Sequence, residues 1–417
     1  RNLRVMIIEE ISMISGEFFD RLSDIVSKIR DHHASPFGGI QLILCGDFLQ
    51  LPPIPTPIHK VRAIKEALSE QSKTEVELHL NRGFTFQAQA WRKADLSVIQ
   101  LDQVFRQINS DFISVLHEIR KGQVSNKTIS FLRQCDRPLP SNKHGIKPTI
   151  LYAKNKDVTN ENMMHLSKLP GKLKCFTAKD RIEVDDNAAP RSEKYLSNNA
   201  FFKSCIAEKT LSLKVGAQVM LIKNERQDER KHSKKKLVNG SRGRVVGFTS
   251  MSEIDEKELA CFLDNGWEGI TNSSTKKKER LDNESDELID LFPVVLFQND
   301  IRKVIKPENF ESRLVSIGTC IREAIPLKLA WAVTVHKSQG MTLDCVKVDL
   351  NGVFTDAQAY VALSRASDEK GLELRNFSKS LVYADKRAVA FYDNPNDKTF
   401  PHWSEHWGEG HNPEKQE

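Results

Sequence analysis

Short apolar runs that stop at polar loops mark several strands along the chain. Residues 5–8 are apolar and are followed by two glutamates, and residues 40–45 are followed by Gly-Asp. Runs of this length are typical of strands buried in a sheet. Residues 330–335 form an alternating apolar run that enters a polar loop, and residues 342–350 form another β-like run. Polar side chains therefore follow the strands at residues 5–8, 40–45 and 330–335, and ligands commonly bind at such strand ends.

Apolar positions at helical spacing predict the helices between these strands. Further helices are predicted over residues 112–120, 155–169 and 356–364, the first of them closed by Gly122 as a C-cap. The clearest pattern follows the first strand, and we predict that all of its apolar residues pack into the core. These residues are Phe18, Phe19, Leu22, Ile25, Val26 and Ile29.

Residues 205–320 have a different pattern. Short β-like runs are separated by glycines, as is typical of a small β-barrel. Two charged stretches, residues 228–236 and 252–290, interrupt these runs. We interpret both as solvated loops in preference to a specific binding surface for a polyanion.

Composition narrows the class of protein only slightly. The 417 residues suffice for two or three domains. The net charge is only +6, so any strongly basic surface must be confined to part of the protein, and the excess of positive charge is weak evidence for a polyanionic partner. The seven cysteines include no CxxC pair and no cluster at metal spacing, so we expect a reducing intracellular compartment without disulfides or zinc. No apolar run reaches 18 residues, and we expect no membrane-spanning helix.

Two features of the polar loops point to phosphate chemistry. The strand at residues 5–8 ends in two carboxylates, which is the arrangement of a Walker B strand. The loop at residues 336–340, HKSQG, is rich in hydrogen-bond donors, and Arg365 ends the helix that follows. An arginine so placed suits a phosphate whose charge changes during reaction. Taken alone, the loop is explained equally well as a simple turn whose arginine pairs with a surface carboxylate.

Six motifs in a fixed order are more specific than any one of these features. They are IIEEISMI, GGIQLILCGDFLQLPPI, LDQVFRQ, LKVGAQVMLIKN with LVNGSRGRVVGF, AWAVTVHKSQGMTLD, and AYVALSRA. Together these motifs resemble the Pif (petite integration frequency) family of superfamily 1B DNA helicases, which are relatives of the RecD helicases. The resemblance runs from residue 5 to about residue 375.

The resemblance implies an α/β fold with two RecA-like P-loop NTPase lobes and a small β-barrel inserted in the second lobe. We expect an incomplete first lobe at residues 1–110, carrying the Walker B and sensor motifs. The second lobe would comprise residues 111–204 and 321–392, with the barrel at 205–320. Residues 393–417 are expected to form a flexible tail.

The resemblance also implies roles in ATP hydrolysis with Mg²⁺. Glu10 matches the glutamate that activates the attacking water. Glu9 stands where the family has an aspartate that orients Mg²⁺, and the extra methylene puts Mg²⁺ affinity in question. Gln50 matches the γ-phosphate sensor, and Arg106 and Arg365 match two arginines that contact the γ-phosphate.

The remaining candidate residues are implied to line the nucleotide cleft or to contact DNA. Gln339 and Gly340 would line the cleft. Asp47 would either contribute to the cleft or hold its own loop in shape. The residues expected to contact the DNA backbone are Thr334, His336 and Lys337.

The phosphate-binding loop GxxxxGK[ST] does not occur in this sequence. In the family it precedes the Walker B strand, so we expect it upstream of Arg1 and expect the present chain to be inactive alone. The sequence leaves the targeting segment and the oligomeric state open.

The resemblance implies an ATP-dependent, 5′-to-3′ DNA helicase that acts on single-stranded and duplex DNA. Helicases of this type serve repair, recombination and telomere maintenance, and a nucleus or mitochondrion is the expected location. Two alternatives stay open. One is a catalytically dead module that binds single-stranded nucleic acid, and the other is a relic of a mobile-element helicase.

Overall fold

The computed structural model describes residues 2–57, 60, 80–225, 237–250, 291–395, 397 and 400–404. The two charged stretches predicted as solvated loops lie outside these residues. The described strands are β1 (Val5–Ile8), β2 (Gln41–Leu44), β3 (Thr149–Tyr152), β4 (Lys174–Thr177), β5 (Lys179–Val184), β6 (Thr210–Leu213), β7 (Gln218–Leu221), β8 (Arg242–Ser250), β9 (Leu291–Phe297), β10 (Arg302–Val304), β11 (Glu308–Leu314), β12 (Gly318–Ala324), β13 (Leu327–Leu329), β14 (Ala332–Thr334), β15 (Val346–Asp349) and β16 (Leu372–Arg375).

The four helices predicted from the sequence are present, and the described residues contain further helices that were not predicted. The described α-helices are α1 (Gly16–Arg30), α2 (Gln89–Lys93), α3 (Ser110–Arg120), α4 (Asn126–Gln134), α5 (Asn155–Lys168), α6 (Ser192–Ser197), α7 (Phe201–Ser204), α8 (Gln358–Leu363) and α9 (Lys386–Asp393).

Contacts divide the chain into two compact units. Unit 1 comprises Arg1–Arg137, Val335–Asp344 and Val348–Glu417, and unit 2 comprises Pro138–Thr334 and Cys345–Lys347. The domain boundaries predicted from the sequence stay predictions.

Unit 1 is built on a parallel strand pair and an aromatic core. Strands β1 and β2 pair in register from Val5 opposite Gln41 to Ile8 opposite Leu44. Their inner side chains, with one side of α1, pack on a cluster of buried rings. Several of these rings meet edge to face, an arrangement that aromatic pairs favour. The buried aromatic residues of this core are Phe19, Phe37, Phe48, Phe84, Phe86, Phe391 and Trp403.

Helix α1 corrects one prediction. Its start is capped by Ser15, whose hydroxyl accepts a hydrogen bond from the Phe18 backbone N–H. Phe19 is fully buried, as predicted, but Phe18, Ile25 and Ile29 are about half exposed. These three positions are seven and four residues apart and share one side of the helix, which faces away from the core. Core packing was therefore wrong for them, because helical spacing identifies a helix without showing how many of its sides are covered.

Residues 400–404, within the stretch predicted as a flexible tail, are packed in unit 1. Trp403 is 5% exposed, and its indole N–H donates to Asp20 at 2.7 Å. The backbone carbonyl of Phe400 accepts a hydrogen bond from Arg92, and that of Pro401 accepts one from Gln87.

Unit 2 contains the parallel pair β3 and β14, with Ala332 opposite Ile150. The helix α5 follows β3, and its Asn162 is buried. The Asn162 side chain both donates to the carbonyl of Ala332 and accepts from its N–H, each at 3.0 Å. This asparagine therefore fixes the strand that leads toward the HKSQG loop, whereas an asparagine on a helix is usually a surface residue.

The rest of unit 2 is mostly antiparallel sheet. A five-stranded sheet has the order β10-β9-β8-β7-β13, and a three-stranded sheet has the order β11-β12-β5. The predicted strands of this region are confirmed, but these sheets do not confirm the closed barrel. No described helix is long and apolar enough to cross a membrane.

Candidate nucleotide site

The first candidate residues lie where the two parallel strands of unit 1 end. The N–H of Ile11 donates to the carbonyl of Cys45 at 3.0 Å, which holds the residues after β1 against those after β2. Glu10 lies in this connection with φ 51° and ψ 47°, a left-handed conformation that costs free energy in a residue other than glycine. The Glu10 side chain is exposed, so this strained turn presents the carboxylate outward.

Gln339 contacts this carboxylate directly. Its Nε2 donates to Oε2 of Glu10 at 2.6 Å. The other side-chain atom of Gln339, Oε1, is buried and has no hydrogen-bond partner among the described residues. Gly340 follows with φ 77° and open space where a Cβ would lie. The HKSQG loop therefore brings an unsatisfied acceptor and an open backbone beside the acidic strand end.

Arg106 and Arg365 place two guanidinium groups in the same region. The Nε of Arg106 donates to Thr342 Oγ1 at 2.9 Å. Arg365, which is 2% exposed, donates from Nε to the Val361 carbonyl and from Nη2 to Ser364 Oγ. Neither guanidinium has a carboxylate ion-pair partner among the described residues. Two buried or half-buried cations without such a partner form a site that favours an anion.

The pKa shifts of the two arginines show that they and Glu10 influence one another. Burial and, next, the neighbouring Arg106 lower the pKa of Arg365 to about 10. Glu10 acts in the opposite direction on the pKa of both arginines, so the three charges lie within electrostatic range of each other. Both guanidinium groups stay protonated at neutral pH, and each gains from the arrival of negative charge.

The loop that follows β2 is held by an ion pair. Arg120, from α3, donates to both oxygens of Asp47 at 2.7 and 3.0 Å. The hydroxyl of Tyr392, from α9, also donates to Asp47 at 3.0 Å. Of the two roles considered for Asp47, the geometry favours holding the loop. Gln50 is the next side chain of this loop that is not buried.

Three candidate DNA-contacting residues differ in accessibility. Thr334 is 3% exposed within β14 of unit 2, whereas Lys337 is exposed in unit 1. The ring of His336 lies nearly parallel to that of Phe354, with 6.2 Å between centroids. Burial lowers the pKa of His336, so it is mostly neutral at pH 7 and would act through its ring. Lys337 is therefore the candidate whose side chain is both charged and accessible.

Glu9 and Glu10 are the acids available to a metal. Both are exposed at the end of β1. The described residues contain no group of three or more His, Cys, Asp or Glu arranged to hold a metal ion. Mg²⁺ commonly takes only one or two protein carboxylates and completes its shell with water and substrate phosphates. The donor set fits Mg²⁺ bound together with a nucleotide.

Sequence reasoning missed Arg120 and Tyr392. Arg120 was seen only as the end of a helix, and Tyr392 only as part of the last predicted lobe. They lie 73 and 345 residues from Asp47. The signal in the sequence is Asp47 itself, since a carboxylate that becomes mostly buried requires a partner, but nothing in the sequence identifies that partner.

Comparisons with known proteins show which family the chain resembles. Residues 1–130 match the family model of the PIF1-like helicases, and residues 198–248 match that of the DNA helicase Pif1 2B domain. The ATP-dependent DNA helicase PIF1 of Emericella nidulans is 34% identical over 404 residues, which cover 94% of this chain and 49% of the relative. The chain thus spans about half the length of the curated relatives it matches.

Solved structures show the same fold. The crystal structure of the Pif1 helicase from Candida albicans has 32% identity and a TM-score of 0.64, and the match covers 94% of this chain and 77% of that one. A Bacteroides Pif1 in complex with ADP-AlF3 and single-stranded DNA has 21% identity and a TM-score of 0.55, covering 95% and 77% of the two chains. The predicted mixed α/β fold is confirmed by this likeness.

Proposed function

Because the chain belongs to the PIF1-like helicase family, we propose that it supplies the hydrolytic centre and part of the DNA-binding surface of an ATP-dependent DNA helicase. The observation that carries this proposal is that two arginines, neither in an ion pair with a carboxylate among the described residues, lie within electrostatic range of the exposed Glu10. ATP supplies the anion that these cations lack, and its hydrolysis supplies the energy for strand separation.

The chain's own residues divide the work of hydrolysis. Glu10 accepts a proton from the attacking water, and since Oε2 is hydrogen-bonded to Gln339, Oε1 is the oxygen free to do so. Arg106 and Arg365 stabilise the negative charge that develops on the γ-phosphate. Gln50 contacts the γ-phosphate from the loop after β2. Mg²⁺, when bound near Glu9, would neutralise charge on the phosphates.

The cellular setting follows from the same proposal. A helicase of this family works where genomic DNA is present, so we place it in the nucleus or the mitochondrion. Its substrates would be the single-stranded and forked DNA that arise during repair, recombination and telomere maintenance.

The test measures ATP hydrolysis and strand separation by the full-length protein. We expect single-stranded DNA to stimulate ATP turnover and a duplex with a 5′ single-stranded tail to be unwound. A duplex of the same sequence with a 3′ tail is the matched control and should stay paired. If the protein binds single-stranded DNA but hydrolyses no ATP, the alternative of a pure binding module is correct.

Lys337 provides a narrower test of the DNA surface. Replacing this exposed lysine with alanine should remove about one phosphate contact. Because each neutralised phosphate contributes roughly 0.7 to the slope of log K against log salt for single strands, the slope should fall by about that amount. Lys370, also exposed in unit 1, is the matched control, and its alanine variant should keep the original slope. Equal slopes in the Lys337 variant and the parent would exclude a backbone contact by this residue.

A further inference from the structure

The loop between β2 and the following proline-rich segment is fixed by residues far from it in sequence. Three successive backbone N–H groups are bonded: that of Phe48 to the Tyr392 hydroxyl at 3.2 Å, that of Leu49 to Asp47 Oδ1 at 3.1 Å, and that of Gln50 to the Asp47 carbonyl at 2.9 Å. Asp47 and Tyr392 together therefore accept the hydrogen bonds of these three successive N–H groups.

Arg120 completes the support. It approaches Asp47 side-on, through Nε and Nη2, and its guanidinium carbon lies 4.8 Å from the centre of the Tyr392 ring. The Asp47 and Arg120 side chains are only 16% and 17% exposed. At this burial, removing one partner would leave the other charge poorly solvated. The three side chains thus act as one unit.

The turn cannot easily move as a whole either. Phe48 is 5% exposed, and its ring packs edge to face on Phe86 and Phe391 at 4.9 and 5.0 Å. Gly46 lies so close to the chain after β1 that a Cβ there would be 2.8 Å from the Ile11 nitrogen. By contrast, the side-chain amide of Gln50 makes no hydrogen bond to another described residue. Among the described residues, the backbone of this turn is therefore held by several contacts, whereas the Gln50 amide has no hydrogen-bond partner there.

From this geometry we propose that Arg120 and Tyr392 are positioning residues for Gln50. Both residues donate hydrogen bonds to the Asp47 carboxylate, and Asp47 in turn accepts hydrogen bonds from the backbone of the turn. The conformation of the turn then sets the direction of the Gln50 side chain. The inference rests on the proposed function, in which Gln50 contacts the γ-phosphate. Both residues lie too far along the chain to have been assigned from the motif that contains Gln50, and neither touches the nucleotide in this role.

The experiment is a double-mutant cycle between Tyr392 and Gln50 in the full-length protein. Tyr392→Phe keeps the ring and its packing but removes the hydroxyl that bonds Asp47 and the Phe48 N–H. The free energy of a hydrogen bond to a charged group corresponds to about a tenfold change in a rate constant or more. We therefore expect kcat for DNA-stimulated hydrolysis to fall about tenfold. KM for ATP and affinity for single-stranded DNA should stay close to those of the parent, and the thermal unfolding midpoint should fall only modestly, by an amount that leaves the protein folded at the assay temperature.

The second arm decides whether the effect passes through Gln50. In a Gln50→Ala background, Tyr392→Phe should lower kcat no further, because the side chain that it aims is gone. Arg120→Lys should reproduce the loss in the parent background, since an ammonium cannot make the side-on pair. Tyr195→Phe, at a tyrosine 55% exposed in unit 2, is the matched control and should be silent.

The possible failures are distinguishable. If Gln50→Ala keeps full turnover, the sensor assignment within the proposed function is wrong, and the positioning role falls with it. If Gln50→Ala loses turnover while Tyr392→Phe keeps it, only the positioning role is overturned. An equal loss on Tyr392→Phe in both backgrounds would also overturn it, because independent effects multiply.

Discussion

Replacing Arg365 with alanine is expected to lower DNA-stimulated ATP turnover in the full-length protein by about three orders of magnitude, the scale of a lost arginine finger. Arg365 is 2% exposed at the end of α8 and is held by the Val361 carbonyl and Ser364 Oγ. Its guanidinium is thus fixed in place before the nucleotide arrives. A fixed donor of this kind stabilises the developing charge without reorganising.

Steady-state ATPase assays with saturating single-stranded DNA provide the measurement. Arg365→Lys should restore little activity, because a point charge does not reproduce the planar fork. Affinity for single-stranded DNA should stay near that of the parent. Arg313→Ala is the matched control, since Arg313 forms a bidentate pair with Asp185 on the surface of unit 2. Near-normal turnover in the Arg365→Ala variant would refute the role assigned to this residue.

Glu10→Gln is expected to lower turnover by about two to four orders of magnitude, the usual contribution of general acid–base catalysis. The substitution keeps the shape of the side chain, and a glutamine amide can still accept the hydrogen bond from Gln339 Nε2. The left-handed backbone at residue 10 is unaffected by the change. The variant should therefore fold and bind nucleotide but fail to activate water.

Single-turnover hydrolysis of bound ATP separates this defect from a binding defect. The rate of the chemical step should fall while the amount of ATP bound stays constant. Glu183→Gln, at an exposed glutamate of unit 2, controls for the loss of one negative charge. A Glu10→Gln variant with an unchanged chemical step would mean that another group activates the water.

The sequence predicts those features of the fold that depend on local pattern. The runs at residues 5–8 and 40–45 contain strands, as expected, because apolar runs of this length are too short for a typical helix and are bounded by polar loops. The helix after β1 was also predicted correctly. The exposure of its residues Phe18, Ile25 and Ile29 was not predicted, because it depends on which other elements pack against that side of the helix.

The candidate site shows the same limit more sharply. Motifs placed Glu10, Arg106 and Arg365 in the sequence, and the structure brings them within electrostatic range. The hydrogen bonds of Arg120 and Tyr392 to Asp47 could not be predicted from the sequence, because neither residue belongs to a motif and both contact Asp47 only in the folded protein. The role of Asn162 is likewise visible only in the structure, since its two bonds to Ala332 need the strand to be in place.

The packing of Trp403 affects how this protein can be produced. Its side chain lies against Gly83, where an added Cβ would be only 2.3 Å from the Trp403 Cβ, and it bonds to Asp20 on α1. An expression boundary drawn at residue 393, where the predicted tail begins, would remove this indole. It would also leave Asp20 without one of its partners and open the ring cluster on which Phe48 packs. A cleavage site or purification tag therefore belongs after residue 404.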